Sequence, residues 1–302
     1  MGTDFVIADV FANGPGEGNQ LAVFADARDL GDAFMQRAAN EIGYSETTFI
    51  LPPETSGDDL RLRIFTPRRE LPFAGHPIVG SAVVAGVLRL APGAATNIRF
   101  GTGVGTIEVE IDLASERSGR AEMRQPIPRL LRETTYSGDV EEAARALGVP
   151  DRAILVDRSP ITLLDNGIPV LIVPLDSLAT VRDMRPNPNA IAMLCERVEA
   201  ITLLAFTTET VNARAAAHCR VFAPGAGVFE DAATGSANGP LGAYLVGYEL
   251  VTGERFEVEQ GYEMGRPSAL HVTARRAPDG SVDDVRVAGG VFITGEGKLY
   301  GF

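Results

Sequence analysis

The chain has 302 residues, 45% of them hydrophobic and 22% charged, as in a globular protein able to bury a sizeable core. That length allows one large domain or two medium ones. A net charge of −13 argues against a nucleic-acid partner, and it offers an anion no long-range attraction, so an acidic ligand must be held by local donors.

In chain order, Phe5–Val10 and Leu21–Ala25 read as strands. The glycine-rich stretch Asn13–Asn19 between them reads as a hairpin connection, because it lacks the Lys-Ser/Thr ending of a phosphate loop. Asp29–Ile42 is a predicted helix with Asp29 as its N-cap. Ser45 and Glu46 lead into a strand through Ile50. Leu60–Phe65 alternates apolar and basic residues, which puts Arg61 and Arg63 on one face. The stretch Glu70–Ala82, Glu-Leu-Pro-Phe-Ala-Gly-His-Pro-Ile-Val-Gly-Ser-Ala, then opens an apolar small-residue helix, Ile78–Leu88. Pro77 suits its first turn. A hairpin-like run continues to Asp112, and the polar Ala114–Gly119 is the expected linker.

After the linker the pattern recurs. Helices are predicted at Val140–Leu147, Asn187–Val198 and Gly235–Val246. Strands are predicted at Val170–Leu175, Ile201–Thr207, Ala215–Phe222, Arg255–Gln260, Ala269–Ala274 and Val285–Ile293. The many hairpin turns point to a mixed, largely antiparallel sheet. Arg63-Ile-Phe-Thr-Pro67 precedes one small-residue helix and Arg220-Val-Phe-Ala-Pro224 precedes the other. Gly80-Ser81-Ala82 matches Gly235-Ser236-Ala237. These echoes suggest two duplicated halves facing one cleft.

Several residues invite chemistry. Glu46, beside apolar Phe49 and Ile50, suits a general base, although a solvated strand-end carboxylate would look the same. His76 falls at a helix N-terminus, as an acid, a hydrogen-bond donor or a structural residue, and the free amides there suit a carboxylate. Asp231 and Ser236 flank Ala-Ala-Thr-Gly. Either Thr234 or Ser236 caps the helix, or this is a second helix mouth aimed at a ligand. Asp231 would then orient an amine or hydroxyl, or pair with His76. His76, His218 and His271 are scattered, with no metal-ligand cluster. Neither Gly-x-Ser-x-Gly nor Gly-x-Gly-x-x-Gly opening a helix occurs. Cys195 and Cys219 are expected as buried thiols of a reducing cytoplasm. No signal-peptide pattern is visible, and the longest apolar helix is too short for a bilayer, so a cytoplasmic protein without a membrane partner is expected.

Taken together, these stretches resemble the phenazine-biosynthesis PhzF-like isomerase family. The matching pieces are Asp9-Val-Phe11, Gly18-Asn-Gln-Leu-Ala-Val23, Ser45-Glu-Thr-Thr-Phe49, Arg63–Pro67, Glu70–Pro77, Glu230-Asp-Ala-Ala-Thr-Gly-Ser-Ala237 and Gln260-Gly-Tyr-Glu-Met-Gly-Arg-Pro-Ser268. They span nearly the whole chain in the family's order, with Gln20 and Ala232 standing where the family often has proline. The resemblance implies an α+β, diaminopimelate-epimerase-like fold. Two pseudo-symmetric halves would each wrap a mixed, largely antiparallel sheet around a central helix, with the site between them. The halves are expected at residues 1–118 and 119–288, with 289–302 returning to the first.

The resemblance also puts the family's proton-shuttling glutamate on Glu46, its helix-end histidine on His76, and its aspartate and serine on Asp231 and Ser236. It assigns Asn19, Ser45, Gly75, Thr234 and Gly235 to substrate binding. It implies a homodimer acting on a small carboxylic acid with no cofactor. Tyr136, Asn166 and Arg266 are further pocket candidates. The related amino-acid epimerases carry a cysteine at each helix mouth; none is present here, which disfavours two-thiol racemisation. A one-base epimerase, a lyase on the same site, or a binding protein without turnover are the competing readings.

Overall fold

The computed structural model describes residues 2–91 and 96–301; Met1 and Phe302, the outer ends of the expected halves, lie outside them. The chain divides into two units, Met1–Arg124 with Ala288–Phe302, and Gln125–Val287.

The first unit runs β1 (Gly2–Val10), β2 (Asn19–Phe24), α1 (Asp32–Ile42), β3 (Glu46–Leu51), β4 (Leu60–Phe65), β5 (Glu70–Leu71), α2 (Gly75–Leu88), β6 (Asn97–Thr102), β7 (Gly105–Ser115) and β8 (Ser118–Gln125). β1 pairs antiparallel with β2, and β2 parallel with β3 across the α1 connection. β3 and β4 are antiparallel. β4 takes β5 antiparallel and β6 parallel, and β6 pairs antiparallel with β7.

Helix α2 is apolar on every side, and each residue from Gly75 to Gly86 is buried. Such a helix is a core element, not a surface one. Burying Ile78, Val79 and Val83 contributes about 1.5–3 kcal/mol for each side chain. Gly80 permits the close approach to the sheet: a Cβ there would lie 2.6 Å from the Val10 and Leu21 side chains. Helix α1 is amphipathic instead. Its buried Met35, Ala38 and Ala39 pack in a cluster with Phe24, Phe49 and Phe65. The Phe24 and Phe49 rings stack at 4.7 Å.

Three expectations need correction here. Helix α1 begins at Asp32 with Gly31 at its N-cap, so Asp29 caps nothing; Ala27–Leu30 forms a hydrogen-bonded turn ahead of it. Residues 114–119 are not a linker. They close the β7–β8 hairpin, where Ser115 pairs with Ser118. A polar hairpin tip and a linker have the same composition; what distinguishes them is the alternating burial of Ile107, Val109 and Ile111, which continues in Ala121 and Met123. Finally, Gly80-Ser81-Ala82 lies inside α2, and the residues that open α2 are Gly75-His76-Pro77.

The second unit runs β9 (Arg129–Thr134), α3 (Ser137–Leu147), β10 (Ile161–Asp165), β11 (Pro169–Pro174), α4 (Leu178–Asp183), α5 (Pro188–Val198), β12 (Thr202–Thr207), β13 (Ala215–Ala223), β14 (Val228–Asp231), α6 (Gly235–Gly247), β15 (Arg255–Gln260), β16 (Ser268–Arg276) and the start of β17 (Val282–Tyr300). Its pairings follow the same succession as the first unit's. β10–β11 is antiparallel, β11–β12 parallel and β12–β13 antiparallel. β13 takes β14 antiparallel and β15 parallel, and β15 pairs antiparallel with β16. Helix α6 is buried from Gly235 to Gly242, as α2 is over its first three turns. Helices α3 and α5 pack Val140, Leu147, Ile191 and Leu194 against Leu163, Leu171 and Leu203. Asn187 caps α5 by accepting the amides of Asn189 and Ala190, with Pro188 in the first turn. The last part of β17 runs antiparallel to β1, from Val291 opposite Val10 to Tyr300 opposite Gly2. Among the described residues no helix is long and apolar enough to cross a membrane.

Candidate active site

In the first unit, strand order places the chemistry. Glu46 opens β3 in register with Leu21 of β2, while Asn19 opens β2. His76 is the second residue of α2. The three side chains meet. Asn19 Nδ2 lies 3.2 Å from His76 Nδ1, and His76 Nε2 lies 3.5 Å from Glu46 Oε2. His76 is 3% exposed. With its amide nitrogen facing Nδ1, Asn19 can only donate, so Nδ1 accepts. A neutral imidazole then carries its proton on Nε2, towards the Glu46 carboxylate. Ser45 lies just before the strand, half-buried, and Gly75 is buried at the first position of the helix. Ala74, at the N-cap, has no side chain able to accept from the first-turn amides.

In the second unit, Asp231, Thr234, Gly235 and Ser236 lie in one buried turn between β14 and α6. Capping by Thr234 or Ser236 does not occur, since no side-chain hydrogen bond caps this helix. The Thr234 hydroxyl is 2.6 Å from Asp231 Oδ2 instead. Asn166 donates to the Ser236 carbonyl and Gln125 to the Gly235 carbonyl, both at 2.9 Å. Of the other pocket candidates, Tyr136 is 70% exposed just ahead of α3, and Arg266 lies in the loop after β15.

Each helix mouth follows a strand hairpin held by an arginine. Arg63 of β4 makes a two-pronged bond to Glu70 of β5, at 2.7 and 2.6 Å, and also reaches Asp32. Arg220 of β13 makes the same bond to Glu230 of β14, at 2.8 Å for both prongs. Each guanidinium lies over the phenylalanine two residues on, Phe65 or Phe222. Glu70 and Glu230 each stand five residues before the glycine that starts the helix. The position equivalent to Gly235-Ser236-Ala237 is therefore Gly75-His76-Pro77. The Arg-x-Phe-x-Pro repeat was the sequence signal for these clamps; their glutamate partners carry none. Gln260 and Asn238, which bond to the Asp231–Ser236 turn, also escape sequence reasoning.

His218 forms a separate buried cluster. Its Nδ1 lies 2.9 Å from Glu259 and its Nε2 3.0 Å from Glu263. Burial opposes charge on the imidazole, but the two carboxylates outweigh it and raise the pKa above the ordinary histidine value. Burial likewise opposes charge on Glu259 and Glu263, yet their bonds to His218 hold both below the usual glutamate range. Among the described residues no group of three histidine, cysteine, aspartate or glutamate side chains is arranged to hold a metal. Cys195 and Cys219 are free and buried, neither within the Asp231–Ser236 turn, although the Cys219 thiol lies 3.8 Å from both Asn238 and Gln260 behind it; burial pushes the Cys195 thiol up to about 12 and raises that of Cys219 as well. A groove of about 500 Å³ in the first unit, lined in part by Asp58, Arg61, Arg63 and Gly103, includes none of Asn19, Glu46 and His76.

The architecture recurs in known proteins. A phenazine biosynthesis protein of the PhzF family from Bacillus anthracis superposes with a TM-score of 0.87 at 27% identity, covering 99% of both chains. A hydroxyproline epimerase from Agrobacterium vitis, at 11% identity and a TM-score of 0.67 over 98% of this chain and 92% of its own, shares the fold. This is the α+β fold of PhzF and proline-racemase-like proteins. The family model for phenazine biosynthesis-like proteins, PhzC-PhzF, matches residues 8–297. A trans-2,3-dihydro-3-hydroxyanthranilate isomerase from Pseudomonas chlororaphis is 38% identical over 98% of both chains. The chain belongs to the phenazine biosynthesis-like family and is an isomerase of it.

Proposed function

We propose that the chain catalyses a cofactor-free isomerisation of a small carboxylic acid, with Glu46 carrying the proton. Glu46 removes a proton from a carbon next to an unsaturated or carbonyl group. The electron pair delocalises, and Glu46, now neutral, returns the proton at another carbon of the same molecule. His76, with Nε2–H facing this carboxylate, and Asp231 hold polar substituents. The amides at Gly75 and Gly235, with Ser236, hold the substrate carboxylate. In this reading the two units are pseudo-symmetric halves with the site in the cleft between them, and the protein is a homodimer. The substrate is a cyclic unsaturated amino acid of the class named for the curated relatives. The observation that carries the reading is the buried contact of Glu46 with a helix-end histidine whose other nitrogen meets Asn19.

The test is turnover of trans-2,3-dihydro-3-hydroxyanthranilate in D2O. The expected product has the substrate's composition, with solvent deuterium at least partly incorporated at the carbon that receives the proton. Glu46→Gln is near-isosteric but cannot accept a proton. It should fold, bind and lose turnover by more than the roughly 10²–10⁴-fold typical of an auxiliary acid or base. A variant that keeps a sizeable share of activity would overturn the one-glutamate mechanism. Release of water or ammonia would point to a lyase.

A further inference from the structure

We infer that Gln260 is a positioning residue for the proposed reaction, and that through the Thr234 hydroxyl it fixes Asp231 as a hydrogen-bond acceptor. This rests on the reading that puts Asp231 in the substrate site. Gln260 ends β15 and is fully buried. Its Oε1 accepts from the Thr234 amide at 3.1 Å and from Asn238 Nδ2 at 2.8 Å, and the Cys219 thiol lies 3.8 Å away. Its Nε2 donates to the Asp231 carbonyl at 2.7 Å and reaches Thr234 Oγ1 at 2.9 Å.

Two of these partners settle which way the amide faces. A backbone N–H can only donate and a backbone carbonyl can only accept, so the atom at Thr234 N is oxygen and the atom at the Asp231 carbonyl is nitrogen. The Nε2 hydrogen that reaches Thr234 Oγ1 makes that oxygen accept. The hydroxyl's own proton then has Asp231 Oδ2, 2.6 Å away, as its acceptor. Polarity runs one way along the chain, from Gln260 to Thr234 to Asp231. Asp231 Oδ2 is thereby an acceptor in a set orientation, because an Oδ2 proton would compete with the threonine hydroxyl for the same line. An acceptor so fixed takes a donor from the substrate, an ammonium or hydroxyl group, and offers no hydrogen to a substrate carboxylate. Glycine at 261 lets the chain turn directly after Gln260: its φ is +80°, and a Cβ would lie 2.5 Å from the Ala232 carbonyl of the same turn.

A neutron map from deuterium-exchanged crystals of the full chain tests the polarity without any substrate. Deuterium on Thr234 Oγ1 directed at Asp231 is expected; deuterium on Asp231 Oδ2 directed at Thr234 would overturn the inference. Kinetics on trans-2,3-dihydro-3-hydroxyanthranilate test the consequence. Gln260→Glu and Thr234→Val should each lower kcat/KM per folded molecule on the order of 10–100-fold, as for a lost hydrogen bond to a charged group. The KM should rise along with any fall in kcat, and Thr234→Ser, which keeps the hydroxyl, should lose less. If both variants lose thermal stability while the folded fraction keeps wild-type kcat and KM, Gln260 supports only the fold and the inference fails. If the wild-type chain does not turn over this compound, the functional reading fails and the neutron map alone decides the polarity.

Discussion

His76 shows how one neighbour can decide what a residue is able to do. Its Nδ1 faces the Asn19 amide nitrogen, and that contact commits Nε2 to carry the proton next to Glu46. Asn19→Asp would replace the donor with an acceptor of nearly the same shape. The ring proton should then move to Nδ1, leaving Nε2 to accept or the ring to become cationic. Nitrogen-15 spectra of the histidine rings would show it: the wild type should give the Nε2–H pattern for His76 and Asn19→Asp should not. An unchanged pattern would mean that Asn19 does not set the tautomer. In the proposed reaction this variant should also turn over more slowly, since the Nε2 proton facing Glu46 is no longer assured.

At the scale of elements, each buried helix is delivered by a strand hairpin locked by one arginine–glutamate pair. The two pairs have the same geometry but different surroundings. The Arg220 and Glu230 side chains are 9% and 12% exposed, whereas Glu70 is 41% exposed beside Arg63. Breaking a buried pair leaves a charge in a poor solvent, at a cost of about 3–5 kcal/mol. A pair fully open to water is worth about 0–1 kcal/mol, and the Arg63 pair, with Arg63 15% and Glu70 41% exposed, lies closer to that limit than the Arg220 pair does. Arg220→Met should therefore lower the denaturant midpoint far more than Arg63→Met, while the double variant Arg220→Met with Glu230→Leu should recover part of the loss. Equal losses from the two single arginine variants would show that burial does not set the difference.

For the molecule as a whole, the His218 cluster ties stability to pH. The His218 pKa in the fold lies above its ordinary 6.5, so its contribution is complete below about 6.5 and disappears as pH rises through the raised value. Glu259 and Glu263 lie below their ordinary 4.5, so theirs is complete above about 4.5 and disappears as pH falls through the lowered values. The trio should stabilise the protein fully between those two limits. Urea midpoints measured across pH should fall on the alkaline side in the wild type, and His218→Gln should remove that part of the slope. Identical alkaline slopes in the two proteins would exclude His218 as the source.

The order of strands and helices was legible from the residues because apolar periodicity and glycine turns are local signals: Leu60–Phe65, the α2 core helix and the second small-residue helix could all be read directly. Family membership was legible too, since short stretches from Asp9 to Ser268 occur in one order. Where signals are ambiguous by composition, tertiary structure decided. A polar hairpin tip at residues 114–119 looks like a linker until its flanking strands pair. Asp29 looks like a cap until the helix begins three residues later. The Thr234 hydroxyl, a natural cap, is directed to Asp231 because Gln260, 26 residues further on, occupies the turn. Hydrogen-bond partners distant in sequence leave no periodic trace, so Asn19 with His76, Arg220 with Glu230 and His218 between two glutamates emerge only when the chain is folded.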